Sequence, residues 1–197
     1  RHAVSGCPGP VHLQFQGNEG QVDLGETDLE QRAELRFTHV PPFRPQGDPA
    51  DIRQALDILQ NAEKPVIVAG GGVRHSGARA ELTRLEEGLN IPVVTSLNGK
   101  DTFLSTHPLS AGVVGSYSRA SANRTIGEAD LVCFVGSKTG GMTTHFWQVP
   151  APGIDAIQID IDPAEIGRNY PLKAAVQGDA KTVLSAMAEM MEKATAN

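Results

Sequence analysis

The residues best suited to contact a phosphorylated ligand lie where predicted strands end. Glycines let a phosphate approach backbone N–H groups, and an aspartate at a strand end can accept hydrogen bonds from ribose hydroxyls. Four strand ends carry Gly70-Gly71-Gly72, Ser96-Leu97-Asn98-Gly99, Gly136-Ser137-Lys138 and Asp160-Ile161-Asp162. Because such ends meet at one edge of a parallel sheet, the sequence predicts a candidate nucleotide-binding edge.

Each of these strand ends also has a purely structural interpretation. The triple glycine lacks the spacing of G-x-G-x-x-G, and tight packing explains it more simply than phosphate binding does. Asp162 precedes a proline and fits a helix N-cap. Lys138 fits solvated surface, whereas a ligand role for Asp160 stays open.

The sequence predicts no catalytic residue and no metal site. The histidines at positions 2, 12, 39, 75, 107 and 145 show no paired metal-ligand spacing. Ser116 and Ser137 follow glycines, but neither lies in a G-x-S-x-G nucleophile elbow.

Short apolar runs alternate with segments of helical period along most of the chain. Strands are predicted at residues 65–69, 91–95, 130–135 and 154–160, with a short one at 174–176. Helices are predicted from Asp48, at 76–89, at 118–127, from Asp162 and at 179–194, while 96–115 is predicted to be loop-rich. This alternation predicts an α/β fold, a doubly wound parallel sheet of the Rossmann-like kind with helices on both faces.

The composition excludes several classes of function. The 197 residues include 23 acidic and 17 basic side chains, without a basic cluster that would indicate nucleic-acid binding. No apolar run approaches the roughly 20 residues of a membrane span. Cys7 and Cys133 do not form a disulfide framework, so the sequence predicts a cytoplasmic protein.

Three segments are predicted along the chain. Residues 1–17 contain a strand at 11–15, which we expect to be the last strand of a preceding domain. Residues 18–47 are rich in polar residues, proline and glycine, as linkers are. Residues 48–197 form the compact domain, and the start at Arg1 suggests a piece of a longer polypeptide.

Several stretches together resemble the central domain of thiamine-diphosphate-dependent enzymes, above all the acetolactate synthase group. They are KPVIVAGGGVRHSGA (64–78), IPVVTSLNGKDTFLSTHPLSAGVVG (91–115), EADLVCFVGS (128–137) and IQIDIDPAEIGRNYPLKAAVQGDAK (157–181). GPVHL (9–13) resembles the last strand of the family's pyrimidine-binding domain. The resemblance implies a DHS-like, NAD/FAD-binding type of Rossmann-like domain.

The resemblance also implies a parent enzyme, a transferase or lyase acting on 2-keto acids. In this family a first domain supplies a glutamate, and a third supplies a G-D-G…N motif for thiamine diphosphate and Mg²⁺. Neither element is in this sequence, so the piece is expected to be inactive by itself. Expected partners are the parent's other domains, within a homodimer or homotetramer.

Some central domains of this family bind FAD or ADP. The family pattern then implies contacts from Gly70, Gly71, Gly72, Leu97, Asn98, Gly99, Gly115, Ser116, Tyr117, Gly136, Ser137, Lys138, Asp160, Ile161, Asp162, Gly178 and Asp179. The segment SKTGGMTTHFW departs from the pattern, because it lacks the arginine expected between Gly136 and Pro150.

Two alternatives remain open beside nucleotide binding. One is a ligand-free module that holds catalytic domains apart and contributes to dimer contacts. The other is a free-standing nicotinamide-dependent oxidoreductase, which the missing G-x-G-x-x-G disfavours.

Overall fold

A computed structural model describes residues 1–14 and 34–195. The chain divides into two compact units, Arg1–Phe43 and Arg44–Asn197. In the first, a 3₁₀ turn spans Leu35–Thr38 and Phe37 meets Phe43 edge to face, with ring centroids 5.8 Å apart. Most of the predicted linker, residues 18–33, lies outside the described residues.

The strand predicted at 11–15 is absent over its described part. Residues 11–14 are exposed and have no regular secondary structure, while Phe15 lies outside the described residues. A strand needs a neighbour to take up its backbone hydrogen bonds, and these residues have none within the described part of their unit.

The second unit is built on a parallel sheet, which among the described residues has six strands. They are β1 (Pro65–Ala69), β2 (Val93–Thr95), β3 (Ser110–Val113), β4 (Leu131–Val135), β5 (Asp155–Asp160) and β6 (Leu172–Gln177). Their order is β3-β2-β1-β4-β5-β6, which confirms the doubly wound α/β fold. The order reverses between β1 and β4, where ligands bind in such sheets.

Helices cover both faces of the sheet. They are α1 (Pro49–Asn61), α2 (Gly71–Ser76), α3 (Arg79–Leu89), α4 (Ala120–Gly127) and α5 (Ala180–Thr195). Side chains alternate along each strand. Ile67 and Ala69 therefore pack under α1, α3 and α5, whereas Val66 and Val68 pack with Ala122 and Ile126 of α4. No helix in the described ranges is long and apolar enough to cross a membrane.

Two helix starts are capped by aspartate side chains. The Asp48 carboxylate accepts a hydrogen bond from the Ala50 N–H at 2.8 Å, with Pro49 at the first helical position. Asp179 accepts hydrogen bonds from Lys181 N and Thr182 N at 3.1 and 3.3 Å and begins α5.

The prediction of one helix at 76–89 is wrong in two respects, since the helical segment starts earlier and is interrupted. The chain becomes helical already at Gly71, and Gly77 then separates α2 from α3. Gly77 has a φ of +65°, and its N–H bonds to the carbonyls of Val73 and Arg74. This left-handed conformation ends α2. Glycine is favoured at the position because few other residues adopt a positive φ without strain.

Two further predictions at the sheet margins are wrong. The segment predicted to be loop-rich at 96–115 contains an unpredicted strand, β3, which lies at the edge of the sheet, pairs among the described strands only with β2 and shifts register there. The helix predicted from Asp162 is a series of turns. Asp162 caps the first turn by accepting from Ala164 N at 2.9 Å, but Gly167, with a φ of +72°, diverts the chain.

Candidate functional site

The loops after β1 and β4 pack backbone against backbone. Gly70 N donates to Val135 O at 2.8 Å, and Gly72 N donates to Gly136 O at 2.9 Å. A Cβ on Gly70 would lie 2.2 Å from Gly136 O, and one on Gly72 would lie 2.6 Å from Gly136 Cα. Close packing therefore accounts for Gly70 and Gly72 without a ligand.

Gly99 and Gly136 have similar explanations. A Cβ on Gly99 would lie 2.5 Å from Ala69 O, so the 3₁₀ turn Leu97–Gly99 can rest against the end of β1 only with glycine there. Ser96 Oγ accepts from Gly99 N at 3.1 Å and fixes this turn. Gly136 has a φ of +56° and would clash with Gly72 if it carried a Cβ.

Gly71 differs from its two neighbours. A Cβ there would first meet the Asn98 Cβ, at an ordinary van der Waals distance of 3.7 Å. Asn98 and Leu97 are both exposed. The open surface of this edge thus lies around Gly71 and the Leu97–Gly99 turn.

Gly115 and the loop after β4 form a neighbouring surface. Gly115 has a φ of +105°, and a Cβ there would lie 2.1 Å from Met142 O, which accepts a hydrogen bond from Ser116 N at 2.9 Å. Ser116 Oγ lies 3.2 Å from His145 Nδ1. The Gly115 backbone is also held by Asn123, whose Oδ1 accepts from Gly115 N at 2.9 Å.

The same loop has an unusual left-handed turn. His145, Phe146 and Trp147 have φ values of 47°, 55° and 61°. Trp147 Nε1 donates to Thr139 O at 3.2 Å, which ties the turn to the end of the loop nearest β4. Tyr117, Phe146 and Trp147 are exposed, so aromatic surface borders the candidate edge.

Ser137 and Lys138 are engaged by protein groups. The Ser137 carbonyl accepts a hydrogen bond from Gln158 Nε2 at 3.1 Å, and the serine is buried. Lys138 Nζ lies 3.7 Å from Glu165 Oε1, so its charge is directed to a carboxylate. A phosphate at this place would compete with Glu165 for the lysine.

Asp160 is a buried carboxylate at the end of β5. Its Oδ1 accepts a hydrogen bond from Asp162 N at 3.0 Å, while Ile161 and Asp162 are half-buried beside it. Burial raises the pKa of Asp160, and the hydrogen bond from Asp162 N opposes that rise. Asp160 could therefore accept a hydroxyl hydrogen bond, at the cost of staying charged in a partly desolvated position.

Gly178 and Asp179 have structural roles at the start of α5. Asp179 N donates to Pro45 O at 2.8 Å, and its carboxylate lies 3.0 Å from Arg44 Nη1 besides capping the helix. A Cβ on Gly178 would lie 2.9 Å from Gly47 N. These two residues thus anchor residues 44–47 to the domain.

Comparison with known proteins places this fold in a family. A family model described as "thiamine pyrophosphate enzyme, central domain" matches residues 52–187. The chain belongs to this family. The match covers β1 to β6 and the first half of α5, so the six-stranded sheet described above is the family's central domain.

Named relatives of this central domain are acetolactate synthases. The chain is 40% identical over 184 residues to a "probable acetolactate synthase large subunit" of Methanocaldococcus jannaschii, and the alignment covers 92% of this chain and 31% of that protein. It is 32% identical over 202 residues to the acetolactate synthase isozyme 3 large subunit of Escherichia coli, covering 99% and 34%. The chain thus spans about a third of the length of these relatives.

A solved structure supports the fold. A protein of Mycobacterium smegmatis, provisionally assigned as a thiamin diphosphate-dependent enzyme, superposes with a TM-score of 0.60 at 26% identity. The superposition covers 75% of this chain and 28% of the other.

Proposed function

We propose that this chain is the non-catalytic central domain of a thiamine-diphosphate-dependent carboligase or decarboxylase of the acetolactate synthase type, acting on 2-keto acids. The observation that carries the proposal is the match to acetolactate synthase large subunits along at least nine-tenths of the chain. In this role the domain supports catalytic domains elsewhere in a longer polypeptide, which we expect to be a cytoplasmic homodimer or homotetramer.

The residues present do not fit thiamine diphosphate or Mg²⁺. The sequence has neither the G-D-G…N motif nor the upstream glutamate that the resemblance leads us to expect. Those groups would be bound by other domains of the longer polypeptide. We therefore assign no catalytic step to residues of this chain.

An activity assay tests the proposed parent reaction. The longer polypeptide carrying this chain is incubated with thiamine diphosphate, Mg²⁺ and a panel of 2-keto acids including pyruvate. We expect turnover of at least one of them, and none by the 197-residue chain alone. Inactivity of the longer polypeptide across the panel would count against the proposal.

We further propose that the edge around Gly71 carries FAD or ADP. The open surface at Gly71 and Asn98, and the buried Asp160 carboxylate as a ribose acceptor, support this proposal. The packed backbones of Gly70, Gly72, Gly99 and Gly136 and the Lys138–Glu165 pair instead favour a ligand-free spacer.

Calorimetric titration of the chain with ADP and with FAD distinguishes the two. Micromolar binding that Asp160→Asn weakens and Asp155→Asn leaves unchanged would support the nucleotide site. Asp155 is a matched control, because it lies at the opposite end of the same strand and its side chain is about half exposed. Absence of binding by the longer polypeptide as well would leave the spacer function.

A further inference from the structure

A buried carboxylate on α3 has no hydrogen-bond partner. The Glu86 side chain is fully buried, and neither of its oxygens is hydrogen-bonded to any group within residues 1–14 and 34–195. A buried ionised carboxylate is costly unless a cation, a proton or hydrogen-bond donors compensate it. Glu86 therefore calls for a compensating partner.

Two other potential metal ligands lie beside Glu86. His107 Nδ1 lies 3.6 Å from Glu86 Oε1, and His107 Nε2 lies 3.0 Å from Glu87 Oε1. One ligand atom from each of the three residues lies within 4.8 Å of the other two. The Glu86 carboxylate thus faces an imidazole that a second carboxylate also approaches.

The His107 ring is held in place from two sides. Its Nδ1 accepts a hydrogen bond from Leu109 N at 3.3 Å, and its ring meets Phe103 edge to face with centroids 4.9 Å apart. The His107 side chain is 17% exposed, whereas that of Glu87 is 57% exposed. The cluster therefore has a buried floor and one side open to solvent, from which an ion could enter.

The cluster is separate from the candidate nucleotide-binding edge. Glu86 and Glu87 lie in the last turn of α3, which leads to the amino end of β2, and His107 precedes the amino end of β3. The nucleotide-binding edge is formed by the carboxyl ends of the strands. The two places therefore lie at opposite ends of the strands of the sheet.

We propose that Glu86, Glu87 and His107 bind a divalent transition-metal ion, with Zn²⁺ the best match. One imidazole and two carboxylates are donors that Zn²⁺ accepts at about 2.0 to 2.2 Å. Donor atoms bound to one tetrahedral Zn²⁺ lie about 3.3 to 3.6 Å apart, so closure from 4.8 Å needs a shift of roughly 1.2 to 1.5 Å. The exposed Glu87 can supply that shift, and two carboxylates neutralise the ion's charge.

Titration of the chain with metal ions tests this site. The protein is stripped with a chelator in a Cys7→Ser background, because the exposed Cys7 thiol could itself bind Zn²⁺. Calorimetry with ZnCl₂, and with MnCl₂ as a second probe, should show one ion per chain and weaker binding of MgCl₂. Glu86→Gln and His107→Gln should each weaken Zn²⁺ binding at least tenfold.

Two control variants separate this site from surface binding. Glu63→Gln removes an exposed glutamate and His75→Gln removes an exposed histidine, and both should bind Zn²⁺ as the parent chain does. Circular dichroism checks that each variant is folded. Full Zn²⁺ affinity in folded Glu86→Gln, or no stoichiometric binding by the parent chain, would overturn the proposal.

Discussion

At the scale of single residues, the strand-end glycines divide into packed and open positions. A Cβ on Gly72 would lie against the Gly136 Cα, whereas one on Gly71 would meet the Cβ and carbonyl oxygen of Asn98 at ordinary contact distances of 3.7 and 4.0 Å. Both stand in one run of three glycines, so the sequence offers no reason to treat them differently. The distinction depends on which loop from elsewhere in the chain crosses each of them.

Alanine substitutions should separate these two neighbours. Gly72→Ala is expected to lower the free energy of unfolding by about 1 to 3 kcal/mol, because its Cβ would overlap backbone that cannot move freely. Gly71→Ala should raise it by about 0.4 to 1 kcal/mol, since alanine restricts the unfolded chain. Urea unfolding of both variants measures the difference, and equal losses would contradict the packing described for this edge.

Asp160 should make stability depend on pH in a defined direction. Its pKa is raised in the folded protein, so the folded state holds a proton more tightly than the unfolded state does. Rising pH above the ordinary aspartate range therefore costs stability. Asp160→Asn should be more stable than the parent chain at pH 7, and the difference should vanish below about pH 4.

Urea unfolding of both proteins over the range from about pH 3.5 to pH 7 checks this sign. The amide oxygen that Asp160→Asn introduces can still accept the hydrogen bond from Asp162 N, so the comparison isolates the charge. A variant less stable than the parent at pH 7 would show that the Asp160 carboxylate is stabilised by its surroundings.

At the scale of elements, a glycine can be required by its backbone conformation as well as by a lack of room for a Cβ. Gly77 and Gly127 both have room for a Cβ, since apart from their chain neighbours and the backbone of their own helix no described atom would lie within 4 Å of it. Of these two, only Gly77 has a positive φ, where it ends α2. Available space and allowed backbone conformation can thus be tested separately.

Gly77→Ala is expected to lower the free energy of unfolding by about 1 kcal/mol, because alanine is strained in the left-handed region. Gly127→Ala, in the last position of α4, should raise it by about 0.5 to 1 kcal/mol. Thermal or urea unfolding of both variants provides the measurement. Stabilisation by Gly77→Ala would mean that α2 and α3 can join into one helix.

The strongly patterned elements could be predicted from the sequence with nearly correct bounds. β1 and α1 are bounded by proline, aspartate and glycine signals that act locally. β3 could not be predicted, because a half-buried edge strand of Ser-Ala-Gly-Val has little periodicity and is held by its pairing with β2. Edge pairing is a property of the sheet rather than of the segment.

The candidate sites could be predicted only in part, for a related reason. The loops of the nucleotide-binding edge follow from the strand ends and the parallel topology. Whether their glycines meet a ligand or another backbone depends on distances between segments that are far apart in the sequence. The cluster of Glu86, Glu87 and His107 has no short motif at all, since a strand and a long loop separate its carboxylates from its imidazole.

At the scale of the whole chain, the compact second unit begins at Arg44, whereas the sequence predicts a domain start at residue 48. Arg44 Nη1 lies 2.6 Å from Ser76 O, and Pro45 O accepts hydrogen bonds from Asp179 N and Thr182 Oγ1. These contacts attach residues 44–47 to α2 and α5. The boundary at 48 stays a prediction that truncation can test.

Two truncated chains should differ in stability. A chain that begins at Arg44 is expected to keep the cooperative unfolding of the second unit. A chain that begins at Asp48 should have a lower Tm, because Asp179 then loses both the Arg44 ion pair and its backbone acceptor. Calorimetric scans compare the two, and equal Tm values would show that residues 44–47 contribute no stability.

Trp147 is the one tryptophan in the sequence, and it lies in the left-handed turn beside the candidate nucleotide-binding edge. Its indole is partly exposed and hydrogen-bonded to Thr139. Its fluorescence therefore reports on one known place in the molecule without any attached dye. A nucleotide that binds at this edge would change the wavelength or intensity of that emission. Intrinsic tryptophan fluorescence can therefore report binding of the ligand proposed for this chain.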